Sequence, residues 1–330
     1  MRRRDFIQAL VGTVGALPLA ARAQRPEPVR RLAILMPESE SDEESQRRKQ
    51  ALERSLTSLG WTIGRNLQID YRWANGNFEY ARSAAIELIA LRPDIVLAVA
   101  TPSARAVRQV NDSIPVVFVG VAEPVAQGFV ASLSHPGGNF TGFTNMEVTF
   151  GEKWLELLNE MAPRLKRVAV MFNPDTTGNS KGFVQVMEAL AKRRSIALTT
   201  IQVRQVGDFD PAIVTLGREA DCGIVLLPDA FTLTHHKLIV EATNRQHIPT
   251  VGAFKVIAAD GALASYGVDI VEQFRLAAGY VDRILKGEKA ADLPVQQPAK
   301  FEFVINVKTA KLFGIDIPPM LLARVDAIIE

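Results

Sequence analysis

The order of apolar and amphipathic segments predicts an α/β protein built on parallel sheets with helices on both faces. Three observations carry this. Short apolar runs of strand length alternate with longer stretches whose apolar residues recur at helical spacing. The alternation runs through residues 31–120 and returns through 151–252, which predicts two similar units without convincing identity between them. The 330 residues also suffice for about two domains of roughly 150 each.

Residues 31–36 (RLAILM) form an apolar run closed by Pro37, the pattern of a buried strand. Ala51, Leu52, Leu56 and Leu59 give residues 45–59 a helical face, and Gly60 ends it. Residues 67–73 alternate as a strand, and 78–91 are helical. Pro93 introduces a buried strand at 94–98, Pro102 opens a helix over 103–110, and Pro115 precedes a strand at 116–119. In the second unit, helices are predicted over 151–161, 183–194, 209–220 and 231–246. Strands are predicted at 167–172, 196–203, 223–227 and 249–251. A third block breaks the rhythm, with a strand at 261–265, a helix at 269–285, a polar linker at 286–298, a strand at 301–307 and two short helical segments.

Hydrophobic residues make up 48% and charged residues 22%, which excludes disordered, collagen-like and coiled-coil classes. The net charge is +2, and the first 23 residues hold four arginines against Asp5, so the remainder is close to neutral at −1. A nucleic-acid partner, which needs a clustered basic excess, is not expected. Cys222 is the single cysteine, so neither an intramolecular disulfide nor a four-cysteine zinc site can form.

Residues 1–23 read as an export signal. Arg2, Arg3 and Arg4 form a basic start, residues 9–19 a short apolar stretch, and Ala21-Arg22-Ala23 a peptidase site before Gln24. Arg3-Arg4-Asp5-Phe6-Ile7 fits the twin-arginine pattern, with the general secretory route as the alternative. The apolar stretch is about half the ~20 residues needed to span a bilayer. With no cysteine beside the cleavage site, a mature chain free of a membrane anchor and located in the periplasm is expected.

Open parallel sheets bind ligands beyond the carboxyl ends of their strands. That rule selects Glu38 after the first strand, Ala100, Thr101 and Ser103 after the third, and Gly120 after the fourth. In the second unit it selects Asn173, Ser180, Asp229, Phe231 and Phe254, with Tyr266 from the third block. Thr101 and Ser103 flank a helix start, where free N–H groups and the helix dipole favour a carboxylate; Thr101 can also serve as the helix cap. Asp229 is either a partner for a ligand ammonium or a helix cap, and Phe254 and Tyr266 are either stacking surfaces or core.

Gly178-Asn179-Ser180-Lys181-Gly182 matches G-x-S-x-G, and Asp229 and His247 follow in hydrolase order. Residues 173–177 intervene between strand and serine, however, and His247 sits late on a helix, so a secreted hydrolase is only an alternative. His235 and His236 are adjacent and diverge by about 100° on a helix, so they do not make a zinc pair. No dinucleotide or P-loop signature is present, and neither cofactor nor metal is expected.

Several stretches, in order over about 280 residues, resemble the solute-binding proteins of ABC transporters that include tryptophan- and tyrosine-binding members. They include Gly64-Arg65-Asn66-Leu67, Tyr71-Arg72-Trp73-Ala74-Asn75-Gly76, Thr101-Pro102-Ser103-Ala104, Glu123-Pro124-Val125, Ser132 to Asn139, Asn173-Pro174-Asp175 and Ser265-Tyr266-Gly267-Val268-Asp269. Leu285-Lys286-Gly287-Glu288-Lys289 and Thr309-Ala310-Lys311 close the series. The resemblance implies a type I periplasmic-binding fold: two α/β lobes, three crossings, a small-molecule ligand in the cleft, an ABC permease as partner and no catalysis. Lobe one is then expected at 30–142 with 261–287, and lobe two at 143–260 with 288–330. The sequence departs from the family at Glu123, where an aspartate is usual, and at Ala230, where an asparagine often follows the aspartate. A periplasmic ligand sensor is the neighbouring alternative; a transcription regulator of this fold would need a helix-turn-helix where the signal stands.

Overall fold

The computed structural model describes residues 28–330, so the predicted export signal lies outside the described residues. Lobe one is a five-stranded parallel sheet in the order β2-β1-β3-β4-β5. Its strands are β1 (Arg30–Met36), β2 (Leu67–Trp73), β3 (Ile95–Val99), β4 (Val116–Val121) and β5 (Phe140–Thr144). Helices α1 (Glu43–Ser58), α2 (Phe78–Ala90) and α3 (Ala100–Val110) connect them. Strands β3, β4 and β5 are buried throughout, as a sheet covered on both faces requires.

The sequence reading missed β5. Its centre is Gly142, which weakens any strand signal. A Cβ there would lie 2.0 Å from the Phe118 carbonyl oxygen, so the approach of β4 admits only glycine.

Lobe two is a seven-stranded sheet in the order β12-β11-β10-β9-β8-β6-β7. Along the chain it comprises α4 (Phe150–Met161), β6 (Arg167–Phe172), α5 (Ser180–Arg193), β7 (Ala197–Gln202), α6 (Phe209–Gly217) and β8 (Cys222–Leu226). Then follow α7 (Ala230–Thr234), α8 (His236–Arg245), β9 (Thr250–Gly252), α9 (Lys255–Ala259) and β10 (Ala264–Val268). The helix predicted over 231–246 is therefore broken, at His235. Helix α10 (Ile270–Leu285) comes next, and β11 (Phe301–Asn306), α11 (Val307–Leu312), α12 (Pro319–Leu322) and β12 (Ala327–Ile329) end the chain.

Two lobe assignments differ from expectation. The strand expected to return to lobe one is β10, and it pairs in lobe two, with Ala264 opposite Val251. The short connection through α9 keeps consecutive strands side by side in one sheet. It is α10 that first goes back to lobe one, where Asp282 accepts a hydrogen bond from Trp61 Nε1 at 2.9 Å. The return to lobe two also comes later than residue 288. Thr144 donates to the Gln296 carbonyl (2.8 Å) and Val295 to that of Leu133 (2.7 Å), so the linker first runs along β5. Because β10 leaves toward the hinge and β11 arrives from it, the two are antiparallel, and the second sheet is mixed rather than wholly parallel.

Aromatic side chains anchor both lobes: Phe118 is fully buried in lobe one, and Trp154 and Phe183 in lobe two. Trp154 Nε1 donates to the Tyr266 carbonyl at 2.7 Å, which joins α4 to β10.

Candidate functional site: the cleft between the lobes

The carboxyl ends of β1, β3 and β4 face those of β6, β8 and β9. On the lobe-one side, β3 turns directly into α3 through Ala100, whose φ of +61° lies in the left-handed region. A non-glycine residue held there marks local strain that the surrounding structure must sustain. Thr101 is not the helix cap; the N-cap position is Val99, and no side chain caps α3. Instead Thr101 Oγ1 accepts the Ala122 N–H at 3.2 Å and fastens the β3–α3 junction to the loop after β4. The first-turn N–H groups of this 11-residue helix therefore keep their partial positive charge.

Ser103, also in that turn, is fully buried, and its hydroxyl has no partner among the described residues. An unpaired buried hydroxyl costs about 1–3 kcal/mol. Gly120, with a φ of +71°, sits where the β4–β5 register shifts, and Ile270 at the start of α10 is its nearest neighbour.

On the lobe-two side, Asp229 is the organising group. Its Oδ1 accepts from Thr176 Oγ1 (2.6 Å), Phe231 N (2.7 Å) and Thr232 N (3.4 Å). Its Oδ2 accepts from the Asn173 N–H, and Thr177 Oγ1, which donates to the Asn173 carbonyl at 2.6 Å, stands 3.3 Å from it. Four donors engage the carboxylate, so Asp229 caps α7 and holds the 173–177 loop against it. Complete burial pushes its carboxyl pKa up, and the hydrogen bonds work against that rise.

Asn173 makes a turn of its own, its Oδ1 accepting from Asp175 N at 2.8 Å. Ser180 is the first residue of α5, capped by Asn179, whose Oδ1 accepts from Gly182 N at 3.0 Å. Phe231 packs on Phe209 and His235, with ring centres 5.5 and 4.9 Å away.

The lobes touch. A Cβ on Gly178 would lie 2.8 Å from Ala122 Cβ and 2.9 Å from Thr101 Oγ1, so the loop after β6 rests on the start of α3. A Cβ on Gly76 would lie 3.5 Å from Phe231, and Arg105 Nη1 reaches the Asp175 carbonyl at 3.5 Å. Thr101 and Ala122 of lobe one thus meet the loop between Asn173 and Ser180. Gly178, Gly76 and Arg105 were not singled out from sequence as lobe contacts. Their signal was their place in strand-end loops, which does not reveal what stands opposite.

Three predicted residues have other partners. Glu38 forms a buried ion pair with Arg48 (2.8 Å). The Tyr266 ring stacks on Phe150 at 5.6 Å and Phe301 at 6.1 Å, within lobe two. Phe254 lines a cavity of about 270 Å³ between α1 and α9, beside Arg48 and Lys255. The hydrolase arrangement is not assembled. His247 packs against Phe313 just before β9 begins, at the opposite end of the sheet from Ser180. Among the described residues, no three His, Cys, Asp or Glu side chains are placed to hold a metal ion.

The profile of the ABC transporter substrate binding protein family matches residues 40–329. The chain belongs to this family. A curated relative, the tyrosine-binding protein of Clostridioides difficile strain R20291, is 27% identical over 264 residues, covering 80% of this chain and 75% of its own. Among solved structures, a conserved domain protein from Vibrio cholerae is 29% identical with a TM-score of 0.84, covering 91% of this chain and 99% of its own. An ABC domain from Streptococcus pneumonia in complex with L-Trp, 22% identical, has a TM-score of 0.83 over 91% and 99% of the two chains. A ligand-free, open substrate-binding protein from Clostridium difficile, 23% identical over 92% and 99%, scores 0.65. In this substrate-binding protein the contacts at Gly178 close the cleft at that edge.

Proposed function

We propose that this substrate-binding protein is a non-catalytic periplasmic receptor that captures a carboxylate-bearing small molecule, of the amino acid class, and delivers it to an ABC permease. One observation carries the carboxylate: the side-chain-uncapped start of α3 beside the buried, unpartnered Ser103 hydroxyl, at the edge of a closed cleft. Free N–H groups and a hydroxyl donor together suit an anion at a helix start. The tyrosine- and tryptophan-binding relatives support the ligand class. Thr101 positions the ring of donors by holding Ala122, and Asp229 shapes the opposite wall. A cleft buries most of a small ligand, and a few polar groups then orient it.

Ser103→Ala tests this directly. The apo protein should be as stable as wild type or slightly more so, because an unsatisfied hydroxyl is removed. Affinity for L-tyrosine or L-tryptophan, read by calorimetry, should fall by about 1–3 kcal/mol, the contribution of a hydrogen bond to a charged group. Undiminished binding of a cleft ligand by the variant would remove Ser103 from the site.

A further inference from the structure

We propose that Glu123 selects the ligand by receiving its cationic group. The inference rests on the amino-acid reading above and names the residue that reading leaves unassigned. An ammonium carried from water into a closed cleft needs a counter-charge, since burying it unpaired costs far more than binding returns. The two buried carboxylates at the cleft are both engaged inside the protein. Asp229 has four donors on two oxygens, which fills the roughly four lone-pair positions a carboxylate offers. Glu38 is bound to Arg48, and Ser45 Oγ stands 3.5 Å from its other oxygen. Further out, Asp175 is paired with Arg204 at 3.2 Å, and Asp269 caps α10.

Glu123 differs from all four. It is half-buried, and its carboxylate has no hydrogen bond or ion pair among the described residues. Its surroundings place it at the lobe boundary. Ala122, immediately before it, is the residue that a Gly178 side chain would strike at 2.8 Å, and Thr101 holds its N–H. Gln127, four residues on, donates from its backbone N–H to the Glu123 carbonyl (3.0 Å), and its Nε2 stands 3.6 Å from that same Gly178 position. Glu123 is thus bracketed by two residues that face lobe two. Its φ of +47° is a conformation that non-glycine residues rarely take, and its backbone follows directly on Ala122, whose N–H is held by Thr101 in the first turn of α3. One carboxylate beside one helix start matches the two ends of an α-amino acid.

The test uses matched probes that differ only in the ammonium: L-tyrosine against 3-(4-hydroxyphenyl)propanoate, and L-tryptophan against indole-3-propanoate. Calorimetry on the wild-type protein should show at least tenfold tighter binding of one amino acid than of its desamino partner. Glu123→Gln should erase that preference, weakening amino-acid binding at least tenfold without weakening desamino binding, because the repulsion between Glu123 and a desamino carboxylate is removed at the same time. Glu123→Asp, which the left-handed backbone accepts, should retain part of it. Melting temperatures of both variants check the fold. Equal loss for both members of a pair, or no loss for either, would overturn the role of Glu123. Wild-type protein that binds desamino acids as well as amino acids would overturn it too. Wild-type protein that binds none of the four probes would instead overturn the amino-acid reading itself, before any variant is compared.

Discussion

Adding one methyl group at Gly178 should hold the cleft open. In the closed arrangement the new Cβ would stand 2.8 Å from Ala122 Cβ and 2.9 Å from Thr101 Oγ1. Favourable contacts between carbon atoms begin near ~3.5 Å, so the overlap with Ala122 Cβ is about 0.7 Å, and that with the smaller Thr101 oxygen is somewhat less. One of those neighbours is a Cβ fixed to the backbone, and the other hydroxyl is anchored to the Ala122 N–H, so neither can swing aside. Overpacking of this size costs about 1–3 kcal/mol. The penalty falls only on the closed form, because Gly178 belongs to lobe two and both neighbours belong to lobe one. Apparent affinity falls with the population of the competent state, here by roughly 5- to 150-fold. Calorimetry with the tightest-binding amino acid gives the affinity, and small-angle scattering gives the compaction on adding ligand. The apo melting temperature should stay near that of wild type. Gly207→Ala, where a Cβ meets nothing within 4 Å, serves as the control. Wild-type affinity in Gly178→Ala would refute the claim that these loops must touch for the ligand to be held.

Arg48→Met should destabilise the protein by about 3–5 kcal/mol in urea denaturation, because it leaves Glu38 buried without its partner; a loss under about 1 kcal/mol would show the pair to be well solvated. Asp229 should give stability an inverse pH dependence. Its pKa is raised by burial, so its contribution is fully present below the ordinary carboxylate value and is lost as pH rises through the folded value. The stability gap between wild type and Asp229→Asn should therefore narrow with rising pH, and a gap that widens would contradict the assigned direction.

The sequence by itself determined the fold class, the order of most elements and the loops that can reach a ligand. These properties are local: period, apolar run length and turn residues decide whether a segment is helix or strand, and parallel strands force their useful loops to one end. Tertiary structure alone decided which loops meet and which charges remain free. Thr101 reads as a helix cap in sequence, yet its hydroxyl is taken by Ala122, 21 residues on. Asp229 and Glu38 each read as possible ligand partners, but donors brought by other segments, Thr176 and Arg48, have already engaged them. The strand at 264–268 carries no mark of the sheet it joins; its pairing with β9 and β11 assigned it to lobe two. Gly178 shows no left-handed backbone that would betray its importance. Its glycine is required by a contact with residues more than 50 positions away, and a contact at that separation leaves no period in the chain to be read.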